Sequence, residues 1–583
     1  MVIENLPGEN LLDEFAPVST AAWEEAIARD LKGADYTKKL VWQTDEGLAV
    51  KPYYRAEDLA ELPTPVVQSN IPWRIREEVD ATDPEQANRA AINSVAAGAE
   101  EIAFHNVVVR NTSDLGLLLA NLQEIPVHFP NVGEPLLRLL IERLKTRRDQ
   151  AQVSTGFNPL ANLDFAAGVL LTAPAALVPF TPAFVPFTFD SSELEESGAT
   201  AVEEIGFTLA AAVDFLAEMQ SRHVDLDRAA ASVAFSFAVG ANYFFQIAKF
   251  PAFRSLWARA LESFAVNAPD APVPIHARTS RWNKTIYDPH VNVLRATTEA
   301  MSAILGGVSS LTVAPFDECY KSPDESSRRL ARNTQIILKR ESLLAHVSDP
   351  AAGSYCIELI TDFLAREGWS SMQKIEAAGG YRKALAAGHI RHALDHSLAA
   401  KEKAVHSRRR VFTGTNQFAD PSHRVLDGID PLRLSAARRG PHSFERIRLR
   451  TERHAAATGC LPRVLLAEFG DPKMRSARST FASNFFACAG FEIIEQRFST
   501  AEDIAAIEAD LIVLCSSDEE YLEPATALLG RLNALGRKTP VIVAGNPESA
   551  EQLLSAGVAD FIHVRTNPID ALTKWQDHLG IKA

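Results

Sequence analysis

The C-terminal part of the chain, residues 462–583, alternates short apolar runs with segments of helical spacing. The apolar runs read PRVLLAEF, FEIIEQRF, DLIVLCSS, PVIVAG and DFIHV, and a segment of helical pattern follows each of them. Strands separated in this way by helices predict a parallel sheet that is covered on both faces. We therefore predict a flavodoxin-like, doubly wound domain. Ligands of such sheets bind beyond the carboxyl ends of the strands, so the loop at 469–473 is where we expect chemistry.

Residues 61–400 show the same alternation over a longer stretch. Candidate strands lie at 101–109, 176–189, 272–280 and 309–317. Repeated strand–helix units over such a length predict a (β/α)8 TIM barrel with insertions. The stretch between Asp164 and Asp190 has no charged residue and could be mistaken for a membrane span. Its prolines 174, 179, 182 and 186 instead favour a buried strand with flanking loops.

Two further segments complete the predicted organisation. Residues 1–60 form an N-terminal arm with a helix that is capped by Ser19 and stopped by Gly33, followed by a short hairpin. Residues 401–461 form a basic linker with 13 basic and 6 acidic side chains. The linker could dock on acidic parts of this chain or contact a partner subunit. Nucleic-acid binding is disfavoured, because no aromatic residues are interleaved with the arginines.

Composition narrows the class of protein further. The 583 residues carry a net charge of −15, which argues against nucleic acid as the main partner. The five cysteines are dispersed without any CxxC spacing, which is typical of the reducing cytoplasm. The first residues, MVIENLPGENLLDEF, are acidic and do not resemble a secretory signal peptide. We expect a cytoplasmic protein without a membrane segment.

Three groups of residues could carry chemistry. Glu77 with Glu78, and Glu193 with Glu195 and Glu196, could supply the acid and base of a glycosidase. His389, His392 and His396 share one helix face and could bind a metal, although an exposed or partner-packed face is the more ordinary interpretation. No Walker A, GxSxG, HExxH or GxGxxG motif is present, and Gly306-Gly307 is typical of a helix C-cap.

Several segments resemble the methylmalonyl-CoA mutase family. They are RTSRWNKT at 278–285, YDPHVNVLR at 287–295, TTEAMSAILGGVSSLTVAPFDE at 297–318, ARNTQIIL at 331–338 and DPAAGSYCIE at 349–358. Pro72-Trp73-Arg74-Ile75-Arg76 is similar to the substrate-entry motif of that family, Pro-Trp-Thr-Ile-Arg. The resemblance extends over nearly the whole chain and matches the order of arm, barrel, linker and flavodoxin-like domain.

The resemblance implies a specific chemistry for the family. Catalytic members bind adenosylcobalamin between the barrel and the flavodoxin-like domain and interconvert methylmalonyl-CoA and succinyl-CoA through a radical. A histidine in an Asp-x-His-x-x-Gly loop, after the first strand of the C-terminal domain, is the lower ligand of the cobalt. The protein holds the cofactor and shields the radical from solvent.

This sequence departs from that pattern at the decisive positions. The loop reads Gly470-Asp471-Pro472-Lys473-Met474-Arg475-Ser476, and no histidine occurs from Val464 to Ile562. Glu468 stands where catalytic relatives have a lysine, Glu78 where they have an active-site tyrosine, and Glu193 near their catalytic histidine. Catalytic chains tend to read Gln-Thr-Ser-Gly-Trp where this chain has Arg278-Thr279-Ser280-Arg281-Trp282. After the fourth strand of the C-terminal domain they have two glycines, where this chain has Ala544-Gly545.

The resemblance therefore points to the small, non-catalytic subunit of a heterodimeric mutase. We expect no catalytic, cofactor-binding or metal-binding residue on this chain. The adenosylcobalamin of the complex would be held by a large catalytic partner subunit. The alternatives that stay open are a mutase that binds cobalamin without a histidine ligand, a scaffold for another acyl-CoA mutase, and the glycosidase.

Overall fold

The structure is a computed structural model that describes residues 18–60, 62, 72–146, 152–172, 184–436 and 438–582. The chain divides after residue 62 into two compact units. The larger unit contains both the barrel and the C-terminal sheet. The boundaries between barrel, linker and C-terminal domain within the larger unit stay predictions.

The smaller unit contains a helix, a short second helix and a hairpin. Its elements are α1 (Thr20–Asp30), α2 (Tyr36–Leu40), β1 (Trp42–Gln43) and β2 (Ala49–Val50), and the two strands are antiparallel. Helix α1 begins where the sequence predicts, because the Ser19 hydroxyl accepts a hydrogen bond from the amide of Ala22. Gly33 follows the end of the helix with φ +86°. The predicted helix and hairpin are both present.

Eight parallel strands close into a barrel, as the strand–helix alternation predicts. Neighbours in sequence are neighbours in the barrel, and the last strand closes it by pairing Ser310 with Arg74 of the first strand. The strands are β3 (Arg74–Asp80), β4 (Glu101–His105), β5 (Val127–Phe129), β6 (Val153–Phe157), β7 (Phe184–Asp190), β8 (Val233–Val239), β9 (Ile275–Thr279) and β10 (Ser310–Thr312). Strand β7 occupies the end of the predicted run 176–189, and residues 176–183 of that run lie outside the described residues.

Helices surround the barrel and follow it in the chain. They are α3 (Pro84–Ala96), α4 (Thr112–Leu118), α5 (Glu134–Thr146), α6 (Leu163–Thr172), α7 (Ser192–Glu196), α8 (Ala201–Ser221), α9 (Leu226–Ala231), α10 (Tyr243–Ser263), α11 (Val291–Leu305), α12 (Glu325–Arg340), α13 (Tyr355–Ala377), α14 (Tyr381–Ala386) and α15 (His389–His406). Aromatic side chains join the sheet to this layer. Phe235 of β8 packs edge-on against Phe253 of α10, with ring centroids 4.6 Å apart.

The basic linker is folded and partly buried. It contains the end of α15, then α16 (Pro431–Ala436) and α17 (His442–Thr458). Arg439 and Glu445 are both buried and lie 2.6 Å apart, and Arg439 also donates to the carbonyl of Lys284 in the loop after β9. Arg450 pairs with Asp577 of the C-terminal helix. Part of the linker's charge is therefore used within this chain.

The C-terminal domain has the predicted five strands in the flavodoxin-like order β12-β11-β13-β14-β15, all parallel. The strands are β11 (Arg463–Glu468), β12 (Glu492–Arg497), β13 (Leu511–Cys515), β14 (Val541–Ala544) and β15 (Asp560–Ile562), and the helices are α18 (Pro472–Ala487), α19 (Ala501–Ala506), α20 (Leu522–Ala534), α21 (Ala550–Ala556) and α22 (Pro568–His578). Successive residues of β11 face opposite ways: Val464 and Leu466 enter one apolar core, and Leu465 and Ala467 the other. Burial on both faces explains why the four residues between Arg463 and Glu468 are all apolar.

One residue of the barrel belongs to the core of the C-terminal domain. Trp282, in the loop between β9 and α11, is 6% exposed and joins the apolar cluster that contains Phe444 and Phe486. Its ring lies 5.6 Å from that of Phe412 and under the guanidinium of Arg410 at 5.0 Å. Through Trp282, the segment RTSRWNKT therefore connects the barrel to the C-terminal sheet domain of the larger unit.

In the described part of the chain, every helix is too short or too polar to cross a bilayer.

Candidate site at the mouth of the barrel

The carboxyl ends of β3 and β9 bring two unusual residues together. Glu78 of β3 and Arg278 of β9 both point into the barrel and form a two-point ion pair, with Nε 2.9 Å from Oε1 and Nη2 3.2 Å from Oε2. Glu318, in the loop after β10, accepts a third hydrogen bond from Arg278 at 2.7 Å. The three side chains cross the mouth of the barrel, where substrates of TIM barrels bind.

The ion pairs continue along one side of the mouth. Arg281 lies 2.9 Å from Glu318 and 3.6 Å from Glu196. Ser280 donates to Glu195, whose two carboxylate oxygens lie 2.9 and 2.8 Å from its hydroxyl. We call Glu78, Arg278, Glu318, Arg281 and Glu196 the mouth network.

Local strand geometry sets which residues join the mouth network. Successive side chains of a strand point to opposite faces, so every second residue of β9 faces the lumen. His276 and Arg278 are those residues, while Ile275, Ala277 and Thr279 are buried under the helices. The alternation of residues in β9 therefore places its ionisable side chains in the lumen and its small or apolar side chains under the helices.

The charges in the network stabilise one another. Burial alone would raise the pKa of Glu78, but Arg278 and His105 outweigh it and hold that pKa well below its usual range. Burial likewise opposes the charge on Arg278, and the carboxylates of Glu318 and Glu78 raise its pKa despite this. The pKa of Glu196 is raised, because burial outweighs the effect of Arg281. The mouth network therefore sets three carboxyl groups against two guanidinium groups, each in contact with a group of opposite charge.

The adjacent carboxylates of the glycosidase hypothesis do not meet. Glu78 faces the lumen, whereas Glu77 faces outward and pairs with Arg332 of α12 at 2.6 Å. A glycosidase needs both carboxyl groups on one substrate, at a separation of about 5–10 Å across a shared cleft. Two neighbours on one strand point to opposite faces and cannot provide this.

The other candidate residues are also separated. Glu195 and Glu196 bind Ser280 and Arg281, whereas Glu193 is exposed and lines a different cavity of about 550 Å³ beside α14 and α15. His389, His392 and His396 are exposed on α15, and the described residues contain no group of histidine, cysteine and acidic side chains suited to a metal ion. Gly306 ends α11 as a C-cap, as predicted.

A small polar chamber lies deeper in the lumen, toward the amino ends of the strands. It has a volume of about 60 Å³, and Arg76, His128 and His276 are among its lining residues. The Nδ1 atoms of His128 and His276 each lie 2.9 Å from a serine hydroxyl, of Ser154 and Ser310 respectively. Burial, helped by the charge of Arg76, lowers the pKa of both histidines well below 6.5.

The carboxyl edge of the C-terminal sheet is filled by the chain's own side chains. The carboxylate of Glu520 accepts hydrogen bonds from the amide of Asp471, at 3.0 Å, and from the hydroxyl of Ser516. These bonds lower the pKa of Glu520 to about 2. Gly470, with φ +68°, lies against that carboxylate so closely that a Cβ there would overlap it.

These residues do not fit a cobalamin. The loop that would supply the lower cobalt ligand has Lys473 in place of an imidazole. The carboxylate of Glu520 lies directly against this loop. Asp518 lies equally close to Gly545, the residue after β14: a Cβ on Gly545 would be only 2.6 Å from the Asp518 carboxylate. No histidine lies in the five strands or in the loops between them from Val464 to Ile562.

Fold and site together define a class: a TIM barrel joined to a flavodoxin-like domain, with an ion-paired barrel mouth. The family model described as methylmalonyl-CoA mutase matches residues 178–461. A methylmalonyl-CoA mutase small subunit from Porphyromonas gingivalis is 34% identical, over 98% of this chain and 99% of the relative. The small subunit from Streptomyces virginiae is 30% identical over the same shares, 98% and 99%. A protein named methylmalonyl-CoA mutase from Cereibacter sphaeroides is 29% identical, over 70% of this chain and 65% of the relative. The chain belongs to the methylmalonyl-CoA mutase family.

Two features of the site were not predicted from sequence. Glu78 and Arg278 were each recognised as departures from the catalytic pattern, but not as partners, since 200 residues separate them. Glu78 and Arg278 carry opposite charges, and each stands where the catalytic pattern has an uncharged residue. This double replacement is the signal from which their pairing could be predicted. Glu520 was missed altogether, because nothing in its local sequence distinguishes it from a helix-capping acid.

Proposed function

We propose that this chain is the non-catalytic small subunit of a heterodimeric methylmalonyl-CoA mutase. It would support a large subunit that holds adenosylcobalamin and interconverts methylmalonyl-CoA and succinyl-CoA in propionate metabolism. The small-subunit names of relatives that match nearly end to end support this assignment.

The observation that carries the proposal is the joint replacement of the mouth residues. Where the resemblance places a tyrosine and a glutamine in catalytic chains, this chain has Glu78 and Arg278, and these bind each other. A single substitution would leave an unpaired charge in the lumen, which is costly. The two together form an ion pair at the mouth, and the loop that holds the cobalt ligand in catalytic relatives has no histidine here.

The cofactor and the partner follow from the same proposal. Adenosylcobalamin would reside on the large subunit, since the residues of this chain do not fit it. A cytoplasmic location is part of the proposal and is supported by five cysteines that are all free thiols.

Separate and combined purification tests the proposal. The chain alone should retain no adenosylcobalamin on gel filtration and should not convert methylmalonyl-CoA to succinyl-CoA. With the large subunit of the same organism it should form a stable complex, and the complex should be more active or more stable than the large subunit alone. Stoichiometric cobalamin on the isolated chain, or a cobalt(II)–radical signal in electron paramagnetic resonance with substrate, would refute it.

A further inference from the structure

The linker contains a short loop, residues 410–418, whose backbone is rigidly held. The amide of Phe412 donates to Asn416 Oδ1 at 2.6 Å, and Asn416 Nδ2 donates to the carbonyl of Arg410 at 2.9 Å. The amide of Gly414 donates to the carbonyl of Gln417 at 2.8 Å. Asn416 itself is fully buried. These bonds fix the loop without any help from its outward-facing side chains.

Two large apolar side chains of this fixed loop face solvent. Val411 is 46% exposed and Phe418 is 64% exposed. A third apolar side chain lies close by in the fold: Leu294 of α11, 67% exposed, precedes Arg295, whose guanidinium donates to the carbonyl of Thr413 at 2.9 Å. Single exposed apolar residues are ordinary, but a rigid loop that presents several is typical of an interaction site.

Phe418 also has a strained backbone. Its φ is +54°, a region that bulky side chains rarely adopt. The conformation is held from the neighbouring domain, because the Phe418 amide donates to Asn484 Oδ1 of α18 at 3.1 Å. Glycine would adopt this φ without strain, so folding gives no reason for a phenylalanine here. Strain of this kind points to a role for the side chain outside the folded chain.

The linker that contains the loop carries unpaired positive charge. In the described part of the chain, six exposed basic side chains of the linker form no ion pair; they are Lys403, Arg409, Arg424, Arg438, Arg446 and Arg453. Exposed acids of the same segment are fewer, namely Glu402, Asp420 and Asp427. The part of the linker's charge that is not used within the chain is therefore available to an acidic surface.

We propose that Val411 and Phe418, flanked by Arg409 and Arg424, form the docking surface for a partner protein with an apolar pocket ringed by carboxylates. This inference rests on the proposed function, which makes that partner the large subunit. A rigid aromatic anchor surrounded by charge has the composition of an interface hot spot. The fixed loop means that little conformational freedom is lost on binding.

The decisive variant is Phe418→Gly, which removes the anchor and relieves the strain. Affinity for the large subunit, measured by titration calorimetry with the purified chains, should fall about 30-fold or more, as for loss of an aromatic hot spot. The melting temperature of the isolated chain should stay the same or rise, because glycine suits this φ. A residue needed only for folding would change the melting temperature in the opposite direction.

Charge and background variants complete the test. Arg409→Gln combined with Arg424→Gln should slow association and reduce its dependence on salt. Leu554→Ser is the matched control, since Leu554 is 53% exposed on α21, in the C-terminal domain, and should leave affinity unchanged. If Phe418→Gly binds the large subunit as tightly as the unaltered chain does, or only self-association of this chain changes, the docking surface is refuted. If the unaltered chain does not bind the large subunit at all, the proposed function is what fails.

Discussion

At the scale of single residues, the pairing of Glu78 with Arg278 can be tested by removing one partner and then both. Glu78→Gln should destabilise the barrel by about 2–3 kcal/mol, toward the low end for a broken buried pair because Glu318 still binds Arg278. Arg278→Gln should cost more, about 3–5 kcal/mol, since Glu78 and Glu318 both lose the guanidinium that binds them and keep only His105 and Arg281, respectively. Differential scanning calorimetry at pH 7 measures both.

The double variant E78Q/R278Q provides the control for that prediction. It removes both charges together and should recover most of the stability that Arg278→Gln loses. If the two losses simply add, the residues are not energetically coupled and their ion pair does not stabilise the barrel.

The buried histidines of the lumen predict a dependence of stability on pH. His128 and His276 stay neutral in the folded chain, because their pKa lies well below the ordinary 6.5. Below about pH 6.5 the unfolded chain binds their protons and the folded chain does not, so each histidine lowers the unfolding free energy by about 1.4 kcal/mol per pH unit. This stability is present above pH 6.5 and is lost as pH falls toward the folded pKa.

The measurement compares unfolding between pH 7.5 and 5.5. The double variant H128N/H276N should lose less stability over this range than the unaltered chain, and asparagine retains a polar group near the serine partners. His389→Asn, on the exposed face of α15, should leave the pH slope unchanged. Equal slopes for all three proteins would mean that the lumen histidines titrate normally.

The pairing of residues also shows where sequence reasoning stops. Burial on both sheet faces makes the central strands β13 and β14 of the C-terminal domain easy to predict, because each is apolar along its length, whereas the edge strand β12 carries charged, exposed residues. Strand β3 is not among the candidate strands of the sequence, so the opposite directions of Glu77 and Glu78 are not predicted. The contact of Glu78 with Arg278 depends on how two distant strands meet in the barrel and does not follow from order in the chain. Glu520 lies in a short helical turn after β13, and nothing in the sequence shows that its carboxylate binds the loop after β11.

At the scale of secondary-structure elements, the loop after β9 joins the barrel to the C-terminal domain. The resemblance marks this loop by its motif, but only the structure shows Trp282 inside the apolar cluster of the other sheet. Removing so large a buried ring leaves a cavity, and Trp282→Ala should cost about 3–5 kcal/mol.

Calorimetry can detect this loss as a change in cooperativity. The larger unit should unfold in one transition in the unaltered chain and in two in Trp282→Ala, because the barrel and the sheet domain then separate before both melt. Trp23→Ala is the control, since Trp23 is 51% exposed on α1 of the smaller unit. A single transition in Trp282→Ala would place the main connection between the two sheets elsewhere.

At the scale of the whole molecule, the proposed function implies that the barrel and the sheet domain of the larger unit both lack the residues that hold a cofactor in catalytic relatives. Ion pairs of the mouth network link β3, β9 and the loop after β10, and Glu520 binds the loop at the carboxyl edge of the C-terminal sheet. Because the resemblance places cobalamin between barrel and sheet domain, restoring one residue on one side should not restore binding.

Lys473→His returns an imidazole to the position of the cobalt ligand and tests this directly. We expect the variant to elute from gel filtration without adenosylcobalamin, as the unaltered chain does, because Glu520 still accepts the amide of Asp471 beside the loop. The double variant K473H/E520A also removes the Glu520 carboxylate. Any increase in cobalamin retention relative to K473H measures how much Glu520 contributes to the lack of binding. Stoichiometric binding of cobalamin by K473H alone would contradict this expectation. It would show that the missing histidine, and not Glu520, is what prevents binding.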